Sequence, residues 1–282
     1  MHPIQTLFER DQPAGPAVLP EDLFALYGGD LRFPAPADRP YVIANFVSTL
    51  DGVVSFNIPG KAGGGDISGF DEPDRFLMGL LRASADAVIV GAGTVQEVSP
   101  RHLWAAASIY RSAADAYARY RQEGLHKPKY PLQVVVTASG RADFTRAIFQ
   151  TPELRTVVLT TEAGAERLRS SGAGSLPSTE VRAIGDGPSF TASAMLDLLR
   201  REFEISLLLH EGGPRLFGSF VSQGLVDESF LTIAPQLAGR ATTGERPGMV
   251  EGIEFAPQNA PWLTLVSIKR SGDHLYLRYR RR

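Results

Sequence analysis

Two carboxylates and two glycine pairs stand where apolar, strand-like runs give way to turns. Asp51 follows the run at 41–48 in "STLDG", and Glu211 follows "LLLH" and directly precedes Gly212 and Gly213. Gly91 and Gly93 punctuate "VIVGAGTV" in the same way. Glycines between a strand and a helix let backbone amides approach an anion closely, and the helix dipole adds positive potential. Each cluster alone is also what an ordinary tight turn looks like, but the two together point to a bound dinucleotide. Neither is the GxGxxG fingerprint. A carboxylate at a neighbouring strand end can hydrogen-bond an amidine-like ring edge, or act as an acid where burial raises its pKa. Asp51 with Gly52 is equally a common turn pair. Glu211, between an apolar run and "GGP", calls for a partner.

Composition removes other chemistries. The 282 residues include no cysteine, so disulfides, thiolate nucleophiles and Cys-based zinc sites are excluded. The histidines at 2, 102, 126, 210 and 274 form no HxH or HExxH pair, and no metal is expected. A net charge of -2 argues against nucleic acid or an anionic membrane as partner. Arg278, Arg280, Arg281 and Arg282 read as outward residues of a strand and a solvated terminus. The sequence shows neither an uninterrupted apolar run of membrane-spanning length nor a signal-peptide pattern, so a cytoplasmic location is expected.

The elements that must position these residues alternate. Residues 1–40, rich in Pro and Gly, read as an extended N-terminal arm with one helical turn at 23–27, packed on the body or on a partner subunit. A β-branched and aromatic strand starts at Tyr41, and a Gly-rich loop at 60–69 reads as mobile and near a site. Asp71 caps a helix through Ser84 that buries Phe76, Leu77, Leu80 and Leu81. Apolar strands follow at 86–91, 132–137, 156–161, 180–185 and 205–210, with helices expected at 105–122, 163–170, 191–202 and after Pro214. Strands apolar on both faces and alternating with helices indicate a mainly parallel sheet covered on both sides. Residues 227–236 and a hairpin turning at 271–273, with Leu275, Leu277 and Tyr279 alternating, read as antiparallel strands. The fold class is α/β, with a mixed, mainly parallel sheet and an antiparallel C-terminal hairpin. In such sheets ligands bind beyond the carboxyl ends of the strands, where both glycine clusters lie.

Three segments carry a resemblance. "NFVSTLDG", "LLRASADAVIVGAGTV" and "LLLHEGGPRLFGSFVSQGLVDESFLTIAPQLAG" closely resemble the reductase domain of the bifunctional riboflavin-biosynthesis deaminase-reductase, in order over about residues 40–280. The resemblance implies a dihydrofolate-reductase-like domain over 41–282. It also implies an NADPH-dependent reduction of a ribosylaminopyrimidine 5′-phosphate that opens the ribose to a ribityl chain. Carried across, Gly91, Ala92, Gly93, Thr94 and Val95 would line the nicotinamide and ribose. Gly212, Gly213, Pro214, Arg215, Leu216, Phe217, Gly218 and Ser219 would hold the pyrophosphate. Thr137, Ser139 and Gly140 match contacts to the 2′-phosphate, with Arg141 as a helper. Glu211 matches the family's substrate-contacting acid, and Arg82 matches an arginine twelve residues before the threonine of GAGT. Asn45, Ser48 and Asp51 would form the opposite wall of the pocket.

The chain departs from the family in two places. The deaminase domain that usually precedes this one, with its zinc-binding motif, is not in the sequence, so deamination is not predicted. The family's Asp-Asp-Pro and downstream Arg are replaced by "GAGTVQEVSPRHLW", with Glu97, Val98 and Ser99 before Pro100. That change bears on phosphoribosyl recognition, and Arg101 and His102 are the candidates to compensate. The leading expectation is an NADPH-dependent reductase of a small heterocycle, with Asp51 and Glu211 contacting the ring or acceptor and Arg82 an anionic group. A pterin- or dihydrofolate-type reductase, an NADPH-binding protein without catalysis, and a purely structural domain are the alternatives. A homodimer is expected by analogy with the family.

Overall fold

The computed structural model describes residues 1–11, 15–34, 38–171, 176–241 and 246–282. The strands are β1 (Gln5–Glu9), β2 (Tyr41–Thr49), β3 (Ala87–Gly91), β4 (Leu132–Val136), β5 (Thr156–Thr160), β6 (Thr179–Ala183), β7 (Leu207–His210), β8 (Glu228–Ala234), β9 (Leu263–Ser271) and β10 (His274–Arg281). The helices are α1 (Glu21–Tyr27), α2 (Gly64–Ser68), α3 (Glu72–Ser84), α4 (Ala92–Glu97), α5 (Ala106–Ile109), α6 (Ala114–Ala118), α7 (Ala147–Gln150), α8 (Glu162–Ser170), α9 (Ala192–Phe203) and α10 (Pro214–Ser222). The strands form one sheet in the order β1-β9-β10-β8-β2-β7-β3-β4-β5-β6. Pairing is parallel from β8 through β2 to β6 and antiparallel from β8 to β1. The period-two alternation of the central strands decides the layers. Ile43, Val88, Val135, Val158 and Leu209 enter the core beneath α3, whereas Val42, Ile89, Val134, Val157 and Leu208 face α9 and α10. Side-chain caps from Asp71, Thr161 and Thr191 fix the starts of α3, α8 and α9.

Four local expectations are corrected. Residues 228–234, read as antiparallel, join both modes: β8 is parallel to β2 and antiparallel to β10. The Gly-rich stretch contains α2, held because Ile67 packs with Val47, Val53 and Ala234 while the Gln236 amide donates to the Asp66 and Ile67 carbonyls. The helix expected at 105–122 is broken at Tyr110, whose backbone is extended and whose hydroxyl donates to Glu72 while its ring meets Phe76 edge-on. Arg278, expected to point outward, is buried at 5% exposure, and Tyr276 on the same face is buried too.

The reason for the last correction lies in the N-terminal segment. Residues 12–14 and 35–37 of the expected arm lie outside the described residues. The rest supplies the edge strand β1 and the helix α1, and Ile4, Leu19, Leu23, Tyr27 and Leu31 join the core beneath α3. It covers the hairpin face that alternation alone leaves to solvent. There Arg278 donates to Glu228 and to the Arg32 carbonyl between the rings of Phe33 and Phe230. A buried guanidinium needs such a partner set, since an unpaired charge costs several kcal/mol, on the order of 3–5.

Candidate functional site

The C-terminal ends of β2, β3 and β7 open into one continuous cleft with two halves. The smaller half has a volume of about 420 Å³ and the larger about 900 Å³. Ser55, Thr94, Glu97, Gly213 and Pro214 line both, so the halves meet at the start of α10. Their charge differs. Asp66, Asp74, Glu97 and Glu211 face only Arg75 and Arg82 in the smaller half. Arg141, Arg215, Arg240 and Arg246 outnumber Glu97 and Glu251 in the larger.

The larger half is built for close approach. A Cβ placed on Gly91 or Gly93 meets no protein atom within 4 Å, so the open space beside these backbones is the cleft itself. Gly213 has φ 48° and ψ 126°, a conformation that turns the chain into α10 with Pro214 in its first turn. Among the described residues the Arg141 and Arg215 side chains carry no hydrogen bond within the protein. Arg240, by contrast, donates to the Asp51, Gly52 and Arg246 carbonyls. Exposed glycine backbone, a helix start and uncommitted guanidiniums fit a dinucleotide with an additional phosphate.

Of the residues assigned to the cofactor from sequence, Gly91, Ala92, Gly93, Thr94, Thr137, Ser139, Arg141, Gly213, Pro214, Arg215 and Leu216 line this half. Gly212 lies on the smaller half. Val95 and Phe217 are core residues, and Ser219 accepts from Gln223 along the side of α10. Gly140 and Gly218 serve backbone contacts: a Cβ at the first would sit 2.3 Å from the Gly164 carbonyl oxygen, and at the second 2.4 Å from that of Glu251. Sequence reasoning missed Ser55, Asn57, Arg240, Arg246 and Glu251, which come from loops remote in the chain from either glycine cluster.

The smaller half is organised by a buried ion pair. Arg82 donates through Nε to Glu211 Oε1 at 3.0 Å and through Nη2 to Oε2 at 2.6 Å, and the Arg82 side chain is 1% exposed. Nη1 donates to the carbonyls of Leu103 and Ala105, and Nη2 also reaches His102 Nε2 at 3.4 Å. Burial and the adjacent guanidinium push His102 down to about 3, so its ring is neutral and accepts this bond. All five donors of Arg82 are therefore matched within the protein. Glu211 keeps further lone pairs facing the cleft, because a carboxylate accepts up to about four bonds.

Asp74 is the second acid of this half, and sequence reasoning did not single it out. It is 4% exposed and lines the cleft with no ion pair among the described residues, beside the hydroxyls of Ser68 and Thr232, which partly offset the effect of burial. Burial pushes its carboxyl up to about 6. The neighbouring Asp71 adds to that rise while accepting from the Tyr276 hydroxyl and lying 3.5 Å from His274. The signal was present in spacing. Asp74, Met78 and Arg82 recur every four residues, so one stripe of α3 faces the cleft while Phe76, Leu77, Leu80 and Leu81 face the core.

Asn45 lines the smaller half, whereas Ser48 is buried outside it. Asp51 also lies outside the lining of both halves. Its carboxylate accepts from Thr49 at 2.6 Å and from the amides of Ala238 and Gly239 at 3.1 and 2.7 Å. Those bonds hold it well below the usual carboxylate range. In the segment that departs from the family pattern, Glu97, Val98, Ser99 and His102 line the cleft, and Arg101 does not.

Residues 40–277 match the RibD C-terminal domain family. The chain is 30% identical over 223 residues to the 2,5-diamino-6-ribosylamino-4(3H)-pyrimidinone 5′-phosphate reductase of Archaeoglobus fulgidus, covering 77% of this chain and 89% of that protein. Among solved structures, a pyrimidine reductase-like protein of Corynebacterium diphtheriae superimposes with a TM-score of 0.63 at 22% identity, over 86% of this chain and 92% of that one. Acinetobacter baumannii RibD superimposes with a TM-score of 0.64 at 21% identity, over 87% of this chain but only 59% of the longer RibD chain. These two likenesses establish the dihydrofolate-reductase-like fold. By the extent of the sequence match, the chain belongs to the RibD C-terminal domain family.

Proposed function

We propose that the chain is an NADPH-dependent reductase of an aminopyrimidine carrying a ribosylamino 5′-phosphate, the substrate class for which the Archaeoglobus relative is named. The observation that carries the reading is the charge contrast across one continuous cleft, basic where phosphates of a dinucleotide would lie and acidic where a nitrogen heterocycle would lie. Arg141 and Ser139, at the end of the basic half near β4, favour NADPH over NADH. A bound nicotinamide would supply hydride, and the fact that Thr94 and Gly213 line both halves supports its delivery at their junction.

The chain's own groups bind and orient the substrate. A 2-amino-4(3H)-pyrimidinone presents two adjacent donors, N3–H and the 2-amino group. An ionised carboxylate presents two acceptors in matching geometry. Asp74 lines the cleft and forms no ion pair among the described residues, and beside the Ser68 and Thr232 hydroxyls it keeps acceptor capacity for this edge. Glu211, its charge balanced and its orientation held by Arg82, accepts from N–H or hydroxyl donors beside the carbon that takes the hydride. The net reaction would take hydride from NADPH to C1′, break the C1′–O4′ bond and put a proton drawn from solvent on O4′, leaving NADP⁺.

The test is NADPH oxidation with purified protein and the ribosylaminopyrimidine 5′-phosphate, following both absorbance loss and the ribityl product. A reduced dihydropterin is the control class, because a 2-amino-4-oxopterin shares the donor edge. Turnover of the pterin alone, or tight NADPH binding without turnover of either, refutes the assignment. The expected homodimer is checked by sedimentation. The exposed Leu7, Trp262 and Leu263 supply apolar surface for such a contact.

A further inference from the structure

The departure after Val95 removes the arginine that the family resemblance places downstream, and Glu211, the Leu103 and Ala105 carbonyls and His102 together use every donor of Arg82. One cation in the smaller half is differently placed. Arg75 lines the cleft and donates through Nε to the Ile109 carbonyl at 3.0 Å, while among the described residues its Nη groups have no partner. The Nε bond tethers the guanidinium without consuming the face that a phosphate would meet.

Neighbouring acids are already engaged. Glu72 accepts from Tyr110 and lies 3.8 Å from the terminal amine of Met1. Asp71 accepts from Tyr276 and the Asp74 amide. No carboxylate among the described residues forms an ion pair with Arg75. Positions 75 and 82 are seven residues apart on α3, so they share a face, separated by about 10 Å along the axis. That spacing separates the residue that orients Glu211 from the residue whose Nη groups are open, on one rigid element.

We propose that Arg75, and not Arg82, anchors the phosphate of the substrate. This rests on the reductase reading above and adds the residue that selects a phosphorylated substrate over its nucleoside. Two parallel planar donors on a pre-oriented guanidinium suit a phosphate dianion.

The experiment has a binding arm and a turnover arm. In the first, NADPH-loaded protein is titrated by calorimetry with D-ribose 5-phosphate and with D-ribose. The parent should bind the phosphate about 10- to 100-fold more tightly, the worth of one or two charge-assisted hydrogen bonds. Arg75→Gln should abolish that preference and Arg75→Lys should restore part of it. Equal binding of the two sugars by the parent, or a preference that survives in Arg75→Gln, overturns the proposal. In the second arm, Arg75→Gln should raise KM for the phosphorylated pyrimidine by a similar factor, leaving kcat and the nucleoside's kinetics within about threefold. An equal loss on both substrates also overturns it. Absence of turnover in the parent refutes the reductase reading, while the calorimetric arm still judges Arg75. Circular dichroism and NADPH affinity of each variant verify that its fold is intact.

Discussion

Replacing Asp74 by Asn should make the protein more stable and less active, an opposition that a merely structural acid would not produce. Holding the carboxyl at about 6 instead of its ordinary 3.8 costs the folded state about 3 kcal/mol above neutral pH, as an order of magnitude. The unfolded chain releases the proton at the lower value and the folded chain at the higher one. Stability therefore falls as pH climbs through that window and is level above it. Asn carries no charge to desolvate, so most of that cost is relieved at about pH 8 and little of it at about pH 4. Catalysis moves the other way. Asn offers one acceptor and turns its amine toward a ring donor, losing about 2–4 kcal/mol of recognition, or roughly 30- to 1000-fold in kcat/KM. In the parent, kcat/KM should rise with pH through about 6 as the carboxylate forms, and the variant should lack that limb. Urea unfolding at both pH values and a pH profile of NADPH oxidation measure the two effects. An Asn variant that is less stable at high pH, or that turns over within about threefold of the parent, refutes the assignment of the ring edge to Asp74.

Glu211→Gln should destabilise the protein by about 3–5 kcal/mol in urea unfolding, because it leaves the Arg82 charge buried at 1% exposure against a neutral group; near-parental stability would contradict the described ion pair. Asp51→Ala should lower the melting temperature by freeing the Ala238 and Gly239 amides, with no change in the shape of the pH–activity profile; loss of a titrating limb would instead place Asp51 in the chemistry. His210 is fully buried with Nε2 unpartnered, and burial holds it down at about 3. The folded state thus favours the neutral ring, and stability drains away as pH drops from the ordinary 6.5 toward that value. His210→Leu should flatten the acid limb of a stability profile, and an unchanged limb would assign it to other groups.

How much of this was legible in the sequence depends on the distance over which each residue acts. The alternation of apolar strands with helices and the cap at Asp71 are local signals, and they place the sheet, α3, α8, α9 and α10. The glycine clusters fall at the ends of β3 and β7, where strand register brings Ile89 beside His210, and so they share one cleft. Burial of Arg278 was not legible, because it depends on a segment some 240 residues away folding over the hairpin. The surroundings of Asp51 were not legible for a similar reason. Its partners at 238 and 239 come from beyond β8, and only the folded chain shows the carboxylate already occupied. Asp74 was hidden by its position in the first turn of a helix, where an acid is also explained by the helix dipole.

The Arg82–Glu211 pair links the legible residues to the hidden ones. Both were singled out from sequence as independent substrate ligands, yet in the fold each is the other's principal partner. Desolvating two charges offsets much of their attraction, so the pair is a weak source of stability. Its effect on recognition is larger. It cancels one positive and one negative charge at the back of the cleft and fixes the orientation of Glu211. The unbalanced groups that remain on α3 are Asp74 and Arg75, adjacent in sequence and opposite in charge. A substrate that satisfies both must carry a donor edge and an anion, whereas one with the donor edge alone leaves Arg75 facing solvent or a counterion. Specificity in this arrangement is therefore a difference between two partly satisfied states. The double variant Asp74→Asn with Arg75→Gln would measure it: if the two residues recognise separate parts of one ligand, their losses in kcat/KM should add to within about 0.5 kcal/mol.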